Sequence, residues 1–208
     1  REVKNYIGMQ AKVKLKMEMG SFETYFGSGF PNFFGWVVPE SEDTVRLGLG
    51  ALSNAKDYFY KFLEDRTGKK DVVSWESGLI PLYNPGQVIQ KDNVYLIGDA
   101  ATQVKATTGG GIVPSFKAAH VLSDCILREK NYNVKYKVGK GNELLAHFYM
   151  RRMLNKYSDK DYDKLVEMMG QERIKNVLNK YDRDTPIPLC LNLLFREPRF
   201  VSMFRSVF

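Results

Sequence analysis

The sequence contains few of the residues from which metal sites and disulfide frameworks are built. Two cysteines and two histidines occur among its 208 residues. Cys125 and Cys190 form no CxxC pair and lie in apolar stretches, which favours free thiols in a reducing environment over a disulfide. His120 and His147 stand alone in the sequence, so we assign neither of them a catalytic or ligand role. We expect no metal site.

Long apolar runs are missing as well. No stretch approaches the roughly 20 consecutive apolar residues that span a bilayer, and the sequence shows no signal peptide. We therefore expect a cytoplasmic protein, with peripheral contact to the cytoplasmic membrane face as a further hypothesis. The chain begins at Arg1 rather than at a methionine, so we also expect a fragment of a longer protein.

Acidic residues are the minority charge. The 31 lysines and arginines exceed the 24 aspartates and glutamates, which gives a formal net charge of +7. This sign favours an anionic partner, either a nucleic acid or an anionic membrane surface. The lysines are dispersed, and the aromatic residues follow buried patterns rather than alternating with a basic strip, so we expect no nucleic-acid partner. An apolar content of 44% indicates a folded core rather than disorder.

The first ninety residues predict an antiparallel sheet with one helix. In the stretch AKVKLKMEM, residues 11–19, apolar and charged residues alternate without a break, as in a strand with one face in water. Asn54 stands where it could cap a helix whose apolar stripe ends near Gly68. Further strands are predicted at residues 22–26, 35–38, 44–49, 72–75 and 94–97.

The residues beyond Gly111 predict helices. Helical patterns cover residues 111–128, 141–156, 159–169, 171–180 and 187–195. The predicted fold class is therefore α+β, with an antiparallel sheet and one helix over 1–93, a strand–loop–helix unit over 94–130 and a helical region over 131–208.

The stretch NVYLIGDAATQVKATTGGGIVPSFKAAHVL, residues 93–122, combines several features of a ligand site. Its run VYLI is short and continuously apolar, which is typical of a strand buried on both faces. Gly98 and Asp99 follow at the carboxyl end, where open α/β sheets bind ligands and where a carboxylate can accept a hydrogen bond from a sugar-like hydroxyl. Ala100 is small and leaves room for close approach to the backbone.

Three consecutive glycines end the loop of this unit. Gly109, Gly110 and Gly111 allow the backbone to pack closely against a flat ligand, and they lead directly into a helix. A helix start offers free N–H groups and roughly half a positive charge, which favours an anion. Thr108 and Ile112 flank the glycines and complete the set of candidate ligand contacts.

The strand, the Gly-Asp pair and the glycine-rich helix start together resemble the second flavin-binding motif of the FAD-dependent p-hydroxybenzoate-hydroxylase-like superfamily. The string GDAATQVKATTGGGI is most similar to the geranylgeranyl reductase branch. The resemblance implies that Asp99 binds a ribityl hydroxyl of FAD and that the helix start at residues 109–111 faces the pyrimidine side of the flavin ring. The family often has proline before TTGGG, where this sequence has Ala106.

A second segment, PNFFGWVVP at residues 31–39, resembles the PxxYxWxFP motif of the same branch. Phe34 takes the tyrosine position, Trp36 the tryptophan position and Val38 the phenylalanine position, and Pro39 follows. The resemblance implies that this segment lies beside an isoprenoid-lipid cavity near the flavin. Aromatic and aliphatic walls suit a chain that offers only apolar surface, although an ordinary core strand has the same composition.

The superfamily's other flavin motif, a βαβ unit with GxGxxG, has no counterpart in the sequence. The closest string is GLGALS, residues 48–53, in which Ser53 replaces the third glycine. The resemblance places this string in the substrate-domain sheet instead of at a pyrophosphate. The resemblance covers nearly the whole chain but only the second half of the family's polypeptide, so it implies an upstream FAD-binding half as a partner.

The resemblance implies a flavin-dependent reductase that transfers hydride from reduced FAD to the isoprenoid C=C bonds of geranylgeranyl lipids or their precursors, as in archaeal-type membrane lipids. Two alternatives stay open. One is an FAD-dependent aromatic monooxygenase of the same superfamily, and the other is a non-enzymatic fragment that binds a lipid or a protein partner. The residues nominate no general acid.

The tail TPIPLCLNLLFREPRFVSMFRSVF mixes apolar residues with Arg196, Arg199 and Arg205. It is too short and too charged to span a bilayer. The pattern predicts either a helix pair packed on the core or a surface that contacts both acyl chains and anionic head groups.

Overall fold

The computed structural model describes residues 4–68, 71–181, 184 and 186–205. For residues 204 and 205 it describes the backbone alone. The chain folds as a mixture of helices and an antiparallel sheet, and it divides into two compact units. The sheet unit comprises residues 4–80 and 157–162, and the helical unit is built mainly from residues 81–156 and 163–208. The division falls near residue 80, whereas the sequence analysis placed its boundaries at 93 and 130.

Five strands form the sheet of the sheet unit, in the order β2-β3-β4-β1-β5. They are β1 (Asn5–Lys14), β2 (Glu23–Tyr25), β3 (Gly35–Ser41), β4 (Thr44–Ala51) and β5 (Val72–Pro81). Strand β4 pairs antiparallel with both β1 and β3, and β3 also pairs antiparallel with β2. The predicted antiparallel sheet is confirmed.

The core of the sheet unit lies between one face of this sheet and helix α1 (Ala55–Thr67). Alternation along the strands directs the apolar side chains to that face, and fully burying one valine or leucine stabilises the fold by roughly 1.5–3 kcal/mol. The buried strand residues are Ala11, Val13, Val37, Val45, Leu47 and Leu49, and those of the helix include Phe59, Phe62 and Leu63.

Strand β1 is shifted from its predicted position. It ends at Lys14, although the alternating pattern runs on to Met19. Lys14 lies opposite Thr44, the first residue of β4, so the following residues have no partner on that strand. Leu15 nevertheless packs against the core, which explains why the apolar pattern outlasts the strand.

The two ends of α1 test the predicted caps. Asn54 is the residue before the helix, but its side chain makes no capping hydrogen bond, so the predicted side-chain cap is wrong. Gly68 ends the helix as predicted, and its N–H donates to the Glu64 carbonyl at 2.8 Å.

The helical unit contains a short hairpin and most of the helices. The hairpin pairs β6 (Gln90–Lys91) with β7 (Val94–Tyr95), and the helices are α2 (Ile112–Leu127), α3 (Tyr132–Val138), α4 (Gly141–Leu154), α5 (Asp159–Met169), α6 (Glu172–Lys180), α7 (Pro186–Arg196) and α8 (Arg199–Arg205). The first turn of α5 belongs to the sheet unit. The five predicted helices are confirmed, whereas α3 and α8 were not predicted. Among the described residues, no helix combines the length and the apolar character needed to cross a membrane.

The run VYLI does not form the doubly buried strand that its composition predicts. Only Val94 and Tyr95 are in strand conformation, and they pair antiparallel with β6 instead of joining a parallel sheet. Val94 is 66% exposed. That part of the prediction is wrong, because four apolar residues in a row do not distinguish a central strand from one arm of a short hairpin.

Candidate functional site

The Gly-Asp pair lies in a tight turn of the helical unit. Gly98 begins a 3₁₀ turn that ends at Ala101, with a φ of 65° that favours glycine. A Cβ atom added to Gly98 would lie 3.1 Å from the Ser115 hydroxyl of α2, so the position is also spatially restricted. The Asp99 carbonyl accepts the N–H of Thr102 at 2.9 Å, which closes the turn.

Gln103 fixes this turn from within the core. Its side-chain oxygen accepts the Gly98 N–H at 2.8 Å, and its own N–H donates back to the Gly98 carbonyl at 2.9 Å. Its amide group donates to the hydroxyl of Tyr132 at 3.0 Å. Gln103 is fully buried, and sequence reasoning did not find it. A buried glutamine with these partners holds the Asp99 backbone in one position.

The glycine triplet ends a loop that closes on itself. The Lys105 carbonyl accepts the N–H groups of Thr108 at 3.1 Å and of Gly109 at 2.8 Å, and the Lys105 N–H donates to the Gly110 carbonyl at 3.0 Å. Gly109 has a φ of 70°, which a residue with a side chain adopts only under strain. The glycines therefore form a defined turn.

This turn brings the helix start beside the Asp99 carboxylate. A Cβ atom added to Gly111 would lie 3.0 Å from Oδ1 of Asp99, so a side chain at Gly111 would crowd the carboxylate. Gly111 is the residue before α2 and has no side chain with which to cap the first turn. The N–H groups of Ile112 and Val113 thus lie at the positive end of the helix dipole. They follow Gly111, which lies against the Asp99 carboxylate.

A groove of about 480 Å³ runs along this part of the helical unit, within the range typical of small-molecule sites. Its lining residues are Ile97, Asp99, Gly109, Gly111, Ile112, Ser115, Phe116 and Ala119. Ile112 and Phe116 are 76% and 73% exposed and give the groove an apolar side. The groove therefore joins a carboxylate, a helix start and an apolar wall.

The structure brings four of the predicted cofactor contacts together in the lining of the groove, namely Asp99, Gly109, Gly111 and Ile112. Gly98, Ala100, Thr108 and Gly110 do not line it. Gly98 and Gly110 shape the loop instead: a Cβ atom on Gly110 would lie 3.1 Å from the Lys105 side chain. The assignment of all eight residues to a cofactor stays a prediction.

Charged side chains surround the base of the loop. Lys105 forms an ion pair with Asp184 and is almost completely buried. Lys117 of α2 donates to the Glu143 carboxylate at 2.6 Å and to the Asp184 carbonyl at 3.2 Å. Among the described residues that line the groove, none is a lysine or an arginine, so the positive end of α2 gives the groove its cationic character.

The predicted lipid contacts lie in the sheet unit, and Trp36 illustrates their geometry. Trp36, Gly48 and Gln10 are aligned across β3, β4 and β1. The indole lies over Gly48, where an added Cβ atom would come within 2.5 Å of the ring. Its N–H donates to the Gln10 side-chain oxygen at 2.8 Å. Gly48 therefore provides the gap through which the indole reaches Gln10.

The other predicted lipid contacts lie on both sides of Trp36 in the sequence. Phe34 precedes β3, and Val38 and Pro39 belong to it. The Phe34 ring lies 4.5 Å from Phe33 and 5.7 Å from Trp36, measured between ring centroids, and forms an aromatic cluster with them. Val38 is partly exposed, and Pro39 follows it in the same strand. The cluster gives the sheet unit a continuous aromatic surface.

The string GLGALS also lies in the sheet unit. Gly48 and Gly50 belong to β4, in the middle of the antiparallel sheet, and Phe33 lies over Gly50 as Trp36 does over Gly48. The two glycines thus serve as a floor for aromatic rings. The expectation that this string belongs to the sheet and does not form a pyrophosphate loop agrees with this position.

Comparison with known proteins supports one family, although no family model matches the chain. A digeranylgeranylglycerophospholipid reductase of Methanocaldococcus jannaschii is 29% identical in an alignment that covers 92% of this chain and 52% of that protein. The enzyme of the same name from Methanococcus aeolicus is 27% identical over 79% of this chain and 46% of its own length. The chain is therefore similar to proteins named digeranylgeranylglycerophospholipid reductase.

Two solved structures have a fold similar to that of this chain. A geranylgeranyl bacteriochlorophyll reductase-like protein from Thermoplasma acidophilum superposes with a TM-score of 0.74 at 21% identity, over 99% of this chain and 55% of that one. The flavin-dependent halogenase CmlS gives a TM-score of 0.52 at 17% identity, over 97% and 46% of the two chains. The predicted resemblance to geranylgeranyl reductases is confirmed. The chain spans about half the length of the curated relatives it matches.

Proposed function

We propose that the groove of the helical unit binds the flavin ring and ribityl chain of FAD, and that the protein containing this chain reduces isoprenoid C=C bonds of geranylgeranyl lipids or their precursors. One observation carries the flavin assignment: the Asp99 carboxylate lies against the side-chain-free start of α2, where an added Cβ atom on Gly111 would come within 3.0 Å of it. The relatives' names support the substrate class.

The residues of the groove fit a flavin in three ways. The Asp99 carboxylate can accept a hydrogen bond from a ribityl hydroxyl. The backbone at Gly109 and Gly111 carries no side chain that would keep a flat ring away. The first N–H groups of α2 and the helix dipole favour negative charge, which develops on the pyrimidine part of a flavin when it is reduced.

The chemistry of hydride transfer belongs to the cofactor, because reduced FAD is the hydride donor when it is bound. The contribution of this chain is to bind and orient the ring and to keep water away from it. Ile112 and Phe116 supply apolar surface at the groove for the second task. No side chain of the chain is assigned the role of proton donor.

We assign the isoprenoid chain to Phe34, Trp36, Val38 and Pro39 of the sheet unit. The rings of Phe33, Phe34 and Trp36 form an aromatic surface suited to a substrate that offers only apolar contacts. Polar groups border this surface: Gln10 donates to Glu76 at 2.8 Å, and Arg46 donates to Glu76 at 3.1 Å. An apolar wall with a polar border fits an amphipathic lipid better than a small aromatic substrate.

Flavin retention tests the first part of the proposal. Because the groove supplies contacts only to the ring and the ribityl chain, the isolated chain should retain FAD weakly or not at all. Adding the predicted upstream FAD-binding half should restore binding, seen as flavin absorbance that co-elutes with the protein. Tight, stoichiometric FAD in the isolated chain would contradict this division of the contacts.

Turnover tests the second part. In the intact protein, chemically reduced flavin should be reoxidised anaerobically by a geranylgeranyl lipid, with two hydrogens gained by the lipid for each double bond reduced. Mass spectrometry of the lipid measures the gain. Failure to reduce the lipid, together with oxygen-dependent hydroxylation of an added aromatic substrate, would instead establish a monooxygenase.

A further inference from the structure

Two buried side chains of α4 contact the tip of the glycine-rich loop. His147 and Arg151 are four residues apart and therefore share one face of the helix. They are 4% and 3% exposed, which is unusual for residues of these types. The tip that they contact consists of Ala106 and Thr107. Thr108 separates this tip from Gly109, the first glycine of the triplet.

Arg151 binds two successive carbonyl groups of this tip. Its Nε donates to the Ala106 carbonyl at 3.0 Å and its Nη2 to the Thr107 carbonyl at 2.6 Å. Two donors at fixed spacing on one planar group suit such a pair of acceptors, whereas the ammonium group of a lysine acts as a point charge. The arginine therefore fixes the orientation of the tip as well as its distance from α4.

His147 adds a contact to the same tip. Its Nδ1 lies 2.7 Å from the Thr107 hydroxyl. Thr107 is thus held through its backbone by Arg151 and through its side chain by His147. Both contacts are short and largely excluded from water, which strengthens them relative to contacts on the surface.

The loop continues from this tip to the groove. The Lys105 carbonyl binds the N–H groups of Thr108 and Gly109, so displacement of the tip also displaces the residues that follow it. Gly109 and Gly111 then line the groove. Three successive glycines lose more conformational freedom on ordering than other residues do, so a free chain of this composition would bind a ligand weakly.

We infer that His147 and Arg151 are positioning residues that preorganise the glycine turn for the flavin. The inference rests on the proposed function for the identity of the ligand. The contacts of His147 and Arg151 with Ala106 and Thr107, which we call the clamp, are a property of the chain itself. Neither residue needs to touch the flavin. Their effect is to keep Gly109 and Gly111 in the conformation that lines the groove.

Amide hydrogen exchange in the ligand-free chain tests the clamp. Arg151→Lys keeps the positive charge but removes the two donors at fixed spacing. It should raise the exchange rates of the Thr108 and Gly109 amides by about tenfold, which is equivalent to one weakened hydrogen bond. Arg152→Lys is the matched control, because Arg152 is the next residue, is exposed and lies over the Phe148 ring. Unchanged exchange in Arg151→Lys would overturn the clamp.

Substitutions of Thr107 and His147 keep the test valid if Arg151→Lys lowers overall stability. Thr107→Val removes only the hydroxyl that contacts His147, and it should raise exchange in the same two amides. His147→Leu should do the same, whereas His147→Asn, which keeps a polar group near the position of Nδ1, should restore part of the protection. Equal exchange in the leucine and asparagine variants would remove His147 from the clamp.

FAD affinity of the intact protein tests the link to the flavin. Arg151→Lys should raise the dissociation constant of FAD by about tenfold, and Arg152→Lys should leave it unchanged. Faster exchange with unchanged FAD affinity would show that the clamped loop is not at the flavin, and would overturn the inference. If the wild-type intact protein binds no FAD, the proposed function fails, and the exchange experiment still decides whether the clamp exists.

Discussion

At the scale of single residues, the site depends on what is absent as much as on what is present. Gly111 has no side chain, and this allows the Asp99 carboxylate and the first N–H groups of α2 to line the same groove. Gly48 plays a comparable part in the sheet unit, where it lets the Trp36 indole cross to Gln10. In both places the missing side chain of a glycine leaves room for a group from another part of the unit.

Removal of the Asp99 carboxylate tests the proposed ribityl contact. In the intact protein, Asp99→Ala should weaken FAD binding by on the order of 1–3 kcal/mol, because it leaves a ligand hydroxyl without its acceptor. The matched control is Asp163→Ala, which removes an exposed carboxylate of α5. Titration monitored by flavin fluorescence measures the FAD affinity of both variants. Equal affinity in wild type and Asp99→Ala would exclude Asp99 from the site.

Trp36 tests the lipid assignment. Trp36→Ala should reduce turnover of long isoprenoid substrates at least tenfold while leaving the flavin spectrum nearly unchanged. The indole is half-buried, so we expect a loss of roughly 1–3 kcal/mol in the free energy of unfolding, less than the 3–5 kcal/mol typical of a fully buried tryptophan. Trp75→Ala, which removes the exposed tryptophan of β5, should spare turnover. Loss of folding before loss of turnover would indicate a purely structural role.

Sequence reasoning could name Asp99 and the glycines because their pattern is local. The strand-like run, the carboxylate and the glycine triplet lie within 20 residues, and each has a characteristic backbone role. Arg151 could not be found in this way, because its partner Ala106 is 45 residues distant in the chain. Gln103 bonds to Gly98 only five residues away, but no local pattern marks it, and its other partner, Tyr132, is 29 residues distant. His147 was set aside as an isolated histidine, and its contact with Thr107 appears only in three dimensions.

At the scale of elements, periodic patterns predicted the helices and strands, and pairing decided their ends. Helix α2 was predicted within one residue at each end because Gly111 and an apolar stripe mark it. Helix α3 is only seven residues long, too short for its stripe of Tyr132 and Tyr136 to establish a period. The predicted length of the strand VYLI is too great, because its partner is a strand of only two residues.

The stability of the junction between α7 and α8 should depend on pH. Glu197 is 2% exposed and accepts hydrogen bonds from Arg199, while Arg173 also pairs with it. Its hydrogen bonds with Arg199 lower the pKa of the Glu197 carboxyl from 4.5 to about 2, against the opposing effect of burial. Because the folded pKa is the lower one, this stabilisation is fully present above about pH 4.5 and is lost as the pH falls towards 2.

Thermal unfolding of a Glu197 variant measures this effect. Glu197→Gln should lower the melting temperature at pH 7, and its difference from wild type should shrink as the pH approaches 2. Glu172→Gln is the control, since Glu172 is highly exposed and pairs with Lys175 on the surface of α6. A difference that stays constant between pH 7 and pH 3 would show that Glu197 contributes through packing and not through its charge.

At the scale of the whole molecule, the chain combines a net charge of +7 with an apolar helix face. Ile187, Leu191 and Phe195 of α7 are spaced four residues apart and exposed, and Phe195 is 84% exposed. Phe200 and Met203 of α8 are buried. The tail therefore combines a packed helix with an exposed stripe. The side chains of Phe204 and Arg205, and Phe208 as a whole, lie outside the described residues.

We propose that this α7 stripe contacts anionic membranes. The chain should co-sediment with anionic vesicles in a salt-sensitive manner, and removing the residues after Pro186 or neutralising the three tail arginines should weaken binding. Arg196→Gln is the cleanest charge variant, because Arg199 also pairs with Glu197. Leu79→Ser, in exposed β5, is a control for loss of an apolar residue elsewhere. Equal sedimentation with neutral and anionic vesicles, or with neither, would contradict an electrostatic contact.

The most direct test of the account is an NMR titration of the chain with FAD, which detects weak binding that gel filtration would miss. The account predicts that the amide signals of Asp99, Gly109, Gly111 and Ile112 shift together as FAD is added, and that Asp99→Ala suppresses the shifts. Asp163→Ala should leave them unchanged. Shifts confined to other parts of the chain, or the same shifts in Asp99→Ala as in wild type, would contradict the assignment of this groove to the flavin.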